Sequence, residues 1–232
     1  MAAAPLTSPQ RQLLLDLELD QPRTFDNFVA GANGELLARL ADLAPGSTAL
    51  YLWGPEGSGR SHLLQAATAR AAGQRAAPLL RGDAVGDYLT PPPGALLAVD
   101  DVERLDAAAQ IALFRAFNSA RLEGWTLLLS GPCPPAQLNL REDLRTRIGQ
   151  CLIYEVQALS EEDKAATLRQ QAAARGMRLD EAIVQWLLRH GRRDLPSLLA
   201  ALDALDRASL EQKRPPTLPL LRAALQSRSD LA

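Results

Sequence analysis

The run Leu50-Tyr51-Leu52-Trp53 passes directly into Gly54-Pro55-Glu56-Gly57-Ser58-Gly59-Arg60-Ser61, and a helix-like stretch, His62 to Ala72, follows. A strand, a glycine-rich loop and a helix in that order form the turn that cradles phosphate. Gly54, Gly57 and Gly59 admit a tight, partly positive-φ backbone that aims successive N–H groups inward, and the following helix adds the positive end of its dipole. Ser61 is placed to offer a hydroxyl to Mg²⁺. Arg60 would reach a β-phosphate as a planar fork, where lysine, a compact ammonium, is the usual residue. The nucleotide-contacting set is therefore Gly54 through Ser61, with His62 next on the helix. The competing reading of the same string is a glycine-rich βα turn.

Strands and helices alternate around this loop. Thr90-Pro91-Pro92-Pro93-Gly94 is a hard break before Ala95-Leu96-Leu97-Ala98-Val99, a short apolar run that reads as a buried central strand. Thr126 to Ser130 reads as another, Leu152 to Val156 as the last, and Ala77 to Leu80 as a weaker one. Helical spacing covers Glu35 to Leu43, Ala107 to Glu123 and Arg141 to Ile148. Such alternation means a parallel sheet. After Leu159 only helices follow: Ser160-Glu161-Glu162-Asp163 opens one with a capping box, Asp180 opens another, a third covers Leu195 to Leu210, and a short one lies near Leu218 to Leu225. The fold class expected is α/β, a P-loop αβα sandwich with a mostly parallel sheet, followed by a small C-terminal α-helical lid. The implied divisions are a tail over 1–22, a nucleotide-binding base over 23–158 and a lid over 159–232. A chain of 232 residues, 47% hydrophobic and 22% charged, suits a P-loop base with a small appendage.

The second chemical motif is Asp100-Asp101, delivered at the C-terminal end of Leu96 to Val99, where sheets of this kind place ligands. In a Walker B arrangement the first acid holds Mg²⁺ and the second polarises the attacking water. The alternative is an aspartate pair capping the next helix. Glu103 reads as a solvated helix residue. Net charge of -2 gives no global footprint for a nucleic-acid duplex, although local basic patches stay open. Cys133 and Cys151 are too few and too far apart for a zinc site or a disulfide framework, which favours a reducing compartment. His62 and His190 form no motif. The N-terminus does not read as a signal peptide and no apolar stretch approaches a membrane span, so a cytoplasmic location is expected.

Thr24-Phe25-Asp26-Asn27-Phe28-Val29-Ala30-Gly31-Ala32-Asn33 resembles the adenine-side signature of the bacterial replication initiator DnaA and its relatives in the AAA+ class. The resemblance puts Phe28 in the nucleotide-binding set. Asp143-Leu144-Arg145-Thr146-Arg147-Ile148 resembles the box that carries the arginine finger, with Arg147 at the matching position. Arg193, in Arg192-Arg193-Asp194-Leu195, resembles the sensor 2 arginine of the lid. Ser130, in Ser130-Gly131-Pro132, is the sensor 1 candidate. Arginines on helices are usually solvated or weakly paired, so it is the order of these motifs that carries the likeness, which runs from Thr24 to the chain end.

A full initiator continues beyond the lid into a basic helix-turn-helix domain, whereas this chain stops at Ala232, so no origin binding of that kind is expected. Its N-terminal segment carries Gln12-Leu13-Leu14-Leu15-Asp16-Leu17, which resembles the peptide that docks into the bacterial sliding clamp through Gln12, Leu15 and Leu17. Leu13, Leu15, Leu17 and Leu19 alternating with acids are also compatible with a half-buried edge strand. The combination resembles the DnaA-related regulators of the Hda family. That resemblance implies a clamp-tethered negative regulator of replication initiation that holds ADP, with ATP as the alternative and Mg²⁺ as companion ion. It implies Arg147 acting in trans on ATP bound to DnaA, Asp101 as a residual base, Ser61 and Asp100 as Mg²⁺ ligands, and little turnover of the chain's own nucleotide. Self-association governed by nucleotide belongs to the same picture; membrane contact and sequence-specific DNA binding do not. The rival is an active AAA+ ATPase of helicase-loader or remodelling type. A P-loop kinase of small metabolites would leave Arg147 and the Phe25-to-Phe28 segment without a role.

Overall fold

The structure, a computed structural model, describes residues 22–46, 48–192 and 194–229. Gln12, Leu15, Leu17 and Arg193 therefore lie outside the described residues, and so does the choice between tail and strand for 13–19.

Among the described residues five strands, β1 (Ala49–Trp53), β2 (Leu79–Arg81), β3 (Leu96–Asp100), β4 (Thr126–Gly131) and β5 (Leu152–Glu155), form one sheet in the order β2-β3-β4-β1-β5. Every pairing is parallel. β3 and β4 are buried at every residue, which is why both read as unbroken apolar runs rather than alternating ones.

Four helices accompany the sheet: α1 (Gly34–Ala41), α2 (Arg60–Ala72), α3 (Ala107–Glu123) and α4 (Glu142–Gly149). Alternation along β1 sends Leu50 and Leu52 into a core with Leu36, Leu40, Leu63 and Leu64, and Tyr51 into the opposite core with Leu113, Leu127 and Leu144. Each fully buried leucine contributes about 1.5–3 kcal/mol. α3 begins and ends where the sequence says it should. Asp106 accepts the Ala109 N–H at 2.8 Å, and Gly124, at φ 66°, closes the last turn onto Ala120.

The remaining helices, α5 (Glu161–Ala174), α6 (Glu181–His190), α7 (Leu195–Gln212) and α8 (Leu218–Ser229), gather a separate core of Leu168, Ile183, Leu187, Leu202 and Leu221 among others. Ser160 and Asp163 close a reciprocal capping box on α5, and Asp180 and Asp194 cap α6 and α7. No helix among the described residues is long and apolar enough to cross a membrane.

Candidate functional site

The loop Gly54 to Ser61 leaves the C-terminal end of β1, and α2 begins at Arg60, two residues earlier than its apolar periodicity suggests. The reason is Gly59, which sits at φ 100° as the N-cap and so places Arg60 and Ser61 in the first helical turn. No side chain caps this helix and no acid stands in its first turn, so its leading N–H groups face the loop without a protein anion. Gly57 is also left-handed, at φ 78°. Glycine is needed at both for space as well as backbone: a Cβ on Gly59 would lie 2.6 Å from the Phe28 ring, and one on Gly57 would lie 2.8 Å from Asp194 Cβ. Phe28 and the N-cap of α7 thus press on the loop from two sides.

Phe28 also meets His62 edge to face, with ring centroids 5.2 Å apart, and His62 Nε2 lies 2.8 Å from the Thr24 carbonyl oxygen. Burial lowers the His62 pKa below the usual imidazole value, outweighing the opposing effect of that hydrogen bond. The segment that precedes α1 is held at its far end by Asn33, whose amide pairs with both backbone groups of Gln157.

The acidic pair occupies the C-terminal end of β3, beside the end of β4. Ser130 Oγ donates to Asp100 Oδ1 in a short hydrogen bond and accepts the Asp101 N–H at 3.1 Å. All three residues are thereby locked together at the sheet's C-terminal edge. Asp101 takes a left-handed conformation, φ 53°, at the start of a 3₁₀ turn, Val102–Arg104. Its carboxylate lies 3.7 Å from Arg60 Nη2 and 3.6 Å from Arg104 Nε. Glu103 is exposed on that turn; desolvation by the neighbouring protein, joined by the charge of Asp101, raises its carboxyl pKa. Arg104 is a member of this corner that sequence reasoning missed, its one signal being the i,i+3 spacing from Asp101.

Two polar atoms within the loop are buried without a partner, Ser58 Oγ and Arg60 Nη1. Buried polar groups are nearly always satisfied, so these mark donors meant for something else. The glycine cradle, the uncapped helix and the unpartnered guanidinium nitrogen together suit a phosphate group. Ser61 and Asp100 carry oxygens of the hardness that Mg²⁺ would need, and the described residues contain no cluster of three or more His, Cys, Asp or Glu side chains that would hold a metal unaided.

Arg147 lies elsewhere. It is exposed on the last turn of α4, with Nη2 donating to Asn118 Oδ1 at 2.9 Å and the guanidinium 5.9 Å from the Phe114 ring. It lines a surface cavity of about 200 Å³ with Thr48, Ala49, Phe117 and Cys151. Ala49 is the first residue of β1 and Thr48 precedes it, whereas the phosphate loop leaves the strand's end. Burial pushes the Cys151 thiol up to about 12. Asn118 is the second residue that sequence reasoning missed, since nothing in a helical pattern marks a polar side chain as another residue's support.

Residues 161–225 match the family model described as "Hda, lid domain". The whole fold is similar to that of domain III of the replication initiation protein DnaA from Thermotoga maritima, with a TM-score of 0.73 and 18% identity over 88% of this chain and 96% of that one. It is similar to DnaA bound to AMPPCP and single-stranded DNA, with a TM-score of 0.65 and 19% identity over 79% of this chain and 64% of that one. A variant of Thermotoga maritima RuvB has a TM-score of 0.68 at 15% identity, covering 90% of this chain and 73% of the other. The expected AAA+ P-loop architecture, a parallel αβα base followed by lid helices, is therefore the observed one.

Proposed function

We propose that this chain, similar to Hda in its lid and to DnaA domain III in its fold, is a Hda/DnaA-related negative regulator of replication initiation, a nucleotide-holding module that promotes hydrolysis of ATP bound to DnaA. The observation that carries the proposal is the separation of Arg147 from the phosphate loop. Arg147 neighbours the first residues of β1 and the loop follows the last, so a five-residue strand, roughly 15 Å at 3.3 Å per residue, stands between them. That separation from its own loop, together with its exposure, supports a role for Arg147 on a neighbouring subunit. There it neutralises charge developing on a γ-phosphate, an effect worth roughly 10³ to 10⁵ in rate.

In this reading 23–158 is the base and 159–232 the lid. The chain's own nucleotide, ADP in preference to ATP, is held by Gly54 through Ser61, with His62 and Phe28 on the adenine side and Arg193 from the lid. Ser61 and Asp100 hold Mg²⁺ when it accompanies the nucleotide, Ser130 orients the acidic pair, and Asp101 is the residual base. When bound, the nucleotide would supply negative charge for the loop donors, Arg60 among them, to neutralise. The lid reaches this site at the N-cap of α7, where Asp194 lies against Gly57. Gln12, Leu15 and Leu17 tether the chain to the sliding clamp on DNA, which raises its local concentration where replication has passed. Nucleotide-dependent self-association would control access to the Arg147 surface, and the location is cytoplasmic.

The test mixes DNA-loaded clamp, DnaA carrying labelled ATP, and this protein as wild type, Gln12→Ala or Arg147→Ala. Both variants should lose stimulated hydrolysis; wild-type stimulation by both refutes the mechanism. The rival, an active ATPase of helicase-loader or remodelling type, draws on the intact Asp100–Ser130–Asp101 corner. Robust steady-state ATP turnover by the isolated chain would favour it.

A further inference from the structure

Arg60 and Asp101 come from different elements, the first turn of α2 and the turn after β3, yet their charges meet at 3.7 Å with side chains only 12% and 19% exposed. Water screens so enclosed a pair poorly. The contact is an ion pair without a hydrogen bond, and Arg60 Nη1 is buried with no hydrogen-bond partner among the described residues.

The two partners differ in freedom. Asp101 is anchored: its N–H is held by Ser130 Oγ, and its carbonyl lies so close to Gly82 that a Cβ there would collide with it. Arg60 is a long side chain that makes no hydrogen bond to any described residue. Asp101 also has a second cation, Arg104 at 3.6 Å, which is half exposed and lies 3.7 Å from Asp83 as well. When the guanidinium of Arg60 leaves, the aspartate therefore keeps a counter-charge.

We propose that Asp101 competes with bound phosphate for Arg60, so that the ion pair is a gate on nucleotide affinity. This rests on the loop being a nucleotide site. Phosphate in the cradle and the carboxylate of Asp101 call on one guanidinium, and binding must draw it from one to the other. Arginine suits such a gate because its long stem lets the charged fork swing from one anion to another while it stays protonated throughout. Arg104 lowers the cost of the exchange by staying with Asp101.

The test is equilibrium binding of labelled ADP, without Mg²⁺, to the full chain as wild type, Asp101→Asn, Arg60→Gln and the double variant. Asparagine is nearly isosteric and tolerates the left-handed backbone; Asp101→Gly, free of strain at that φ, serves if the asparagine variant does not fold. The gate predicts that Asp101→Asn tightens ADP binding about tenfold, that Arg60→Gln weakens it, and that Asp101→Asn has no effect once Arg60 is gone. Glu103→Gln, which removes a nearby charge without freeing Arg60, should change affinity less than about twofold. Unchanged or weaker binding by Asp101→Asn overturns the gate, and so does equal tightening in the Arg60→Gln background, which would report a general field effect. If wild type binds ADP and Asp101→Asn binds it equally well, the gate falls and the nucleotide site stands. Absence of ADP binding by both wild type and Asp101→Asn removes both.

Discussion

Asn33 grips the backbone of Gln157 with both ends of its amide: Oδ1 accepts the Gln157 N–H at 2.8 Å, and Nδ2 donates to the Gln157 carbonyl at 2.9 Å. Residue 157 follows β5 and precedes α5, so this pair ties the segment before α1 to the junction between the sheet and the last four helices. Asn33 is 3% exposed, and a third bond reaches the Ala30 carbonyl. Asn33→Ala should lower unfolding free energy by roughly 2–4 kcal/mol, the sum of two or three hydrogen bonds and the desolvated groups left behind. Urea unfolding with an unchanged m-value measures it. Asn33→Asp, which cannot donate to the Gln157 carbonyl, should also destabilise; a neutral result for both would mean that the grip contributes little.

Gly59 and Phe28 give a prediction for the loop. Gly59→Ala should cost about 1–3 kcal/mol, because alanine at φ 100° is strained and its Cβ would stand 2.6 Å from the ring. Adding Phe28→Leu should relieve the collision but not the backbone strain, recovering part of the stability. Thermal unfolding of the single and double variants separates the two contributions. ADP titration of the same proteins should show weaker binding in both, since the displaced loop no longer aims its N–H groups inward.

Most of the layered architecture was legible because buried parallel strands must be apolar throughout, as Leu96 to Val99 and Thr126 to Gly131 largely are. α3 was legible at both ends, since Asp106 as N-cap and Gly124 as C-cap are start and stop signals that act locally. The first turn of α2 was not, because Gly59 serves as loop residue and N-cap at once, which apolar periodicity does not record. The 3₁₀ turns Gly82–Ala84, Val102–Arg104 and Pro135–Gln137 escaped notice for want of a repeating pattern. At the candidate site the loop glycines and the acidic pair were marked by their positions and Ser130 by the family resemblance, and the structure brings Ser130 and both acids together. The pairing of Arg60 with Asp101 and the support of Arg147 by Asn118 could not, because each depends on how distant segments close in space.

His62 makes stability pH-dependent with a determinate sign. Burial holds its folded-state pKa below 6.5, so the unfolded chain binds the extra proton more readily. The contribution is fully present above the unfolded pKa and is lost as pH falls through 6.5 toward the folded value. Between about pH 7.5 and about pH 5.5, wild-type stability should fall on acidification with a slope from this group of at most about 1.4 kcal/mol per pH unit. His62→Gln should flatten that part of the profile. Glu103, raised above 4.5, acts in the opposite sense at its own titration, so comparing the two proteins isolates the histidine.

Cys151 predicts a chemical property of the α4–β5 junction. With its thiol pushed up to about 12 by burial, against an ordinary value of 9.0, the thiolate fraction at about pH 8 falls roughly a thousandfold. Alkylation of the folded chain at that pH should therefore label Cys151 far more slowly than alkylation in denaturant. Mass spectrometry of digested samples reads each cysteine separately. Rapid labelling of Cys151 in the native chain would mean that the cavity beside Arg147 opens readily to solvent.

Asn118 and Phe114 hold the arginine that the proposed function needs at a partner's phosphate. Arg147 Nη2 donates to Asn118 Oδ1, and its guanidinium lies 5.9 Å from the Phe114 ring. Arg147 is exposed, so its loss should change stability by no more than about 0.5 kcal/mol while abolishing stimulated hydrolysis on DnaA. Asn118→Ala leaves the guanidinium present but less ordered. It should lower stimulation by roughly tenfold, short of the loss in Arg147→Ala, because a positioned charge is worth more than a wandering one. Arg147→Lys keeps the charge yet cannot span the same donors, and should fall nearer to alanine than to wild type. The assay is single-turnover hydrolysis of labelled ATP on DnaA at saturating regulator, which removes differences in binding. Wild-type rates in Asn118→Ala would show that Arg147 is ordered by its partner rather than by α3.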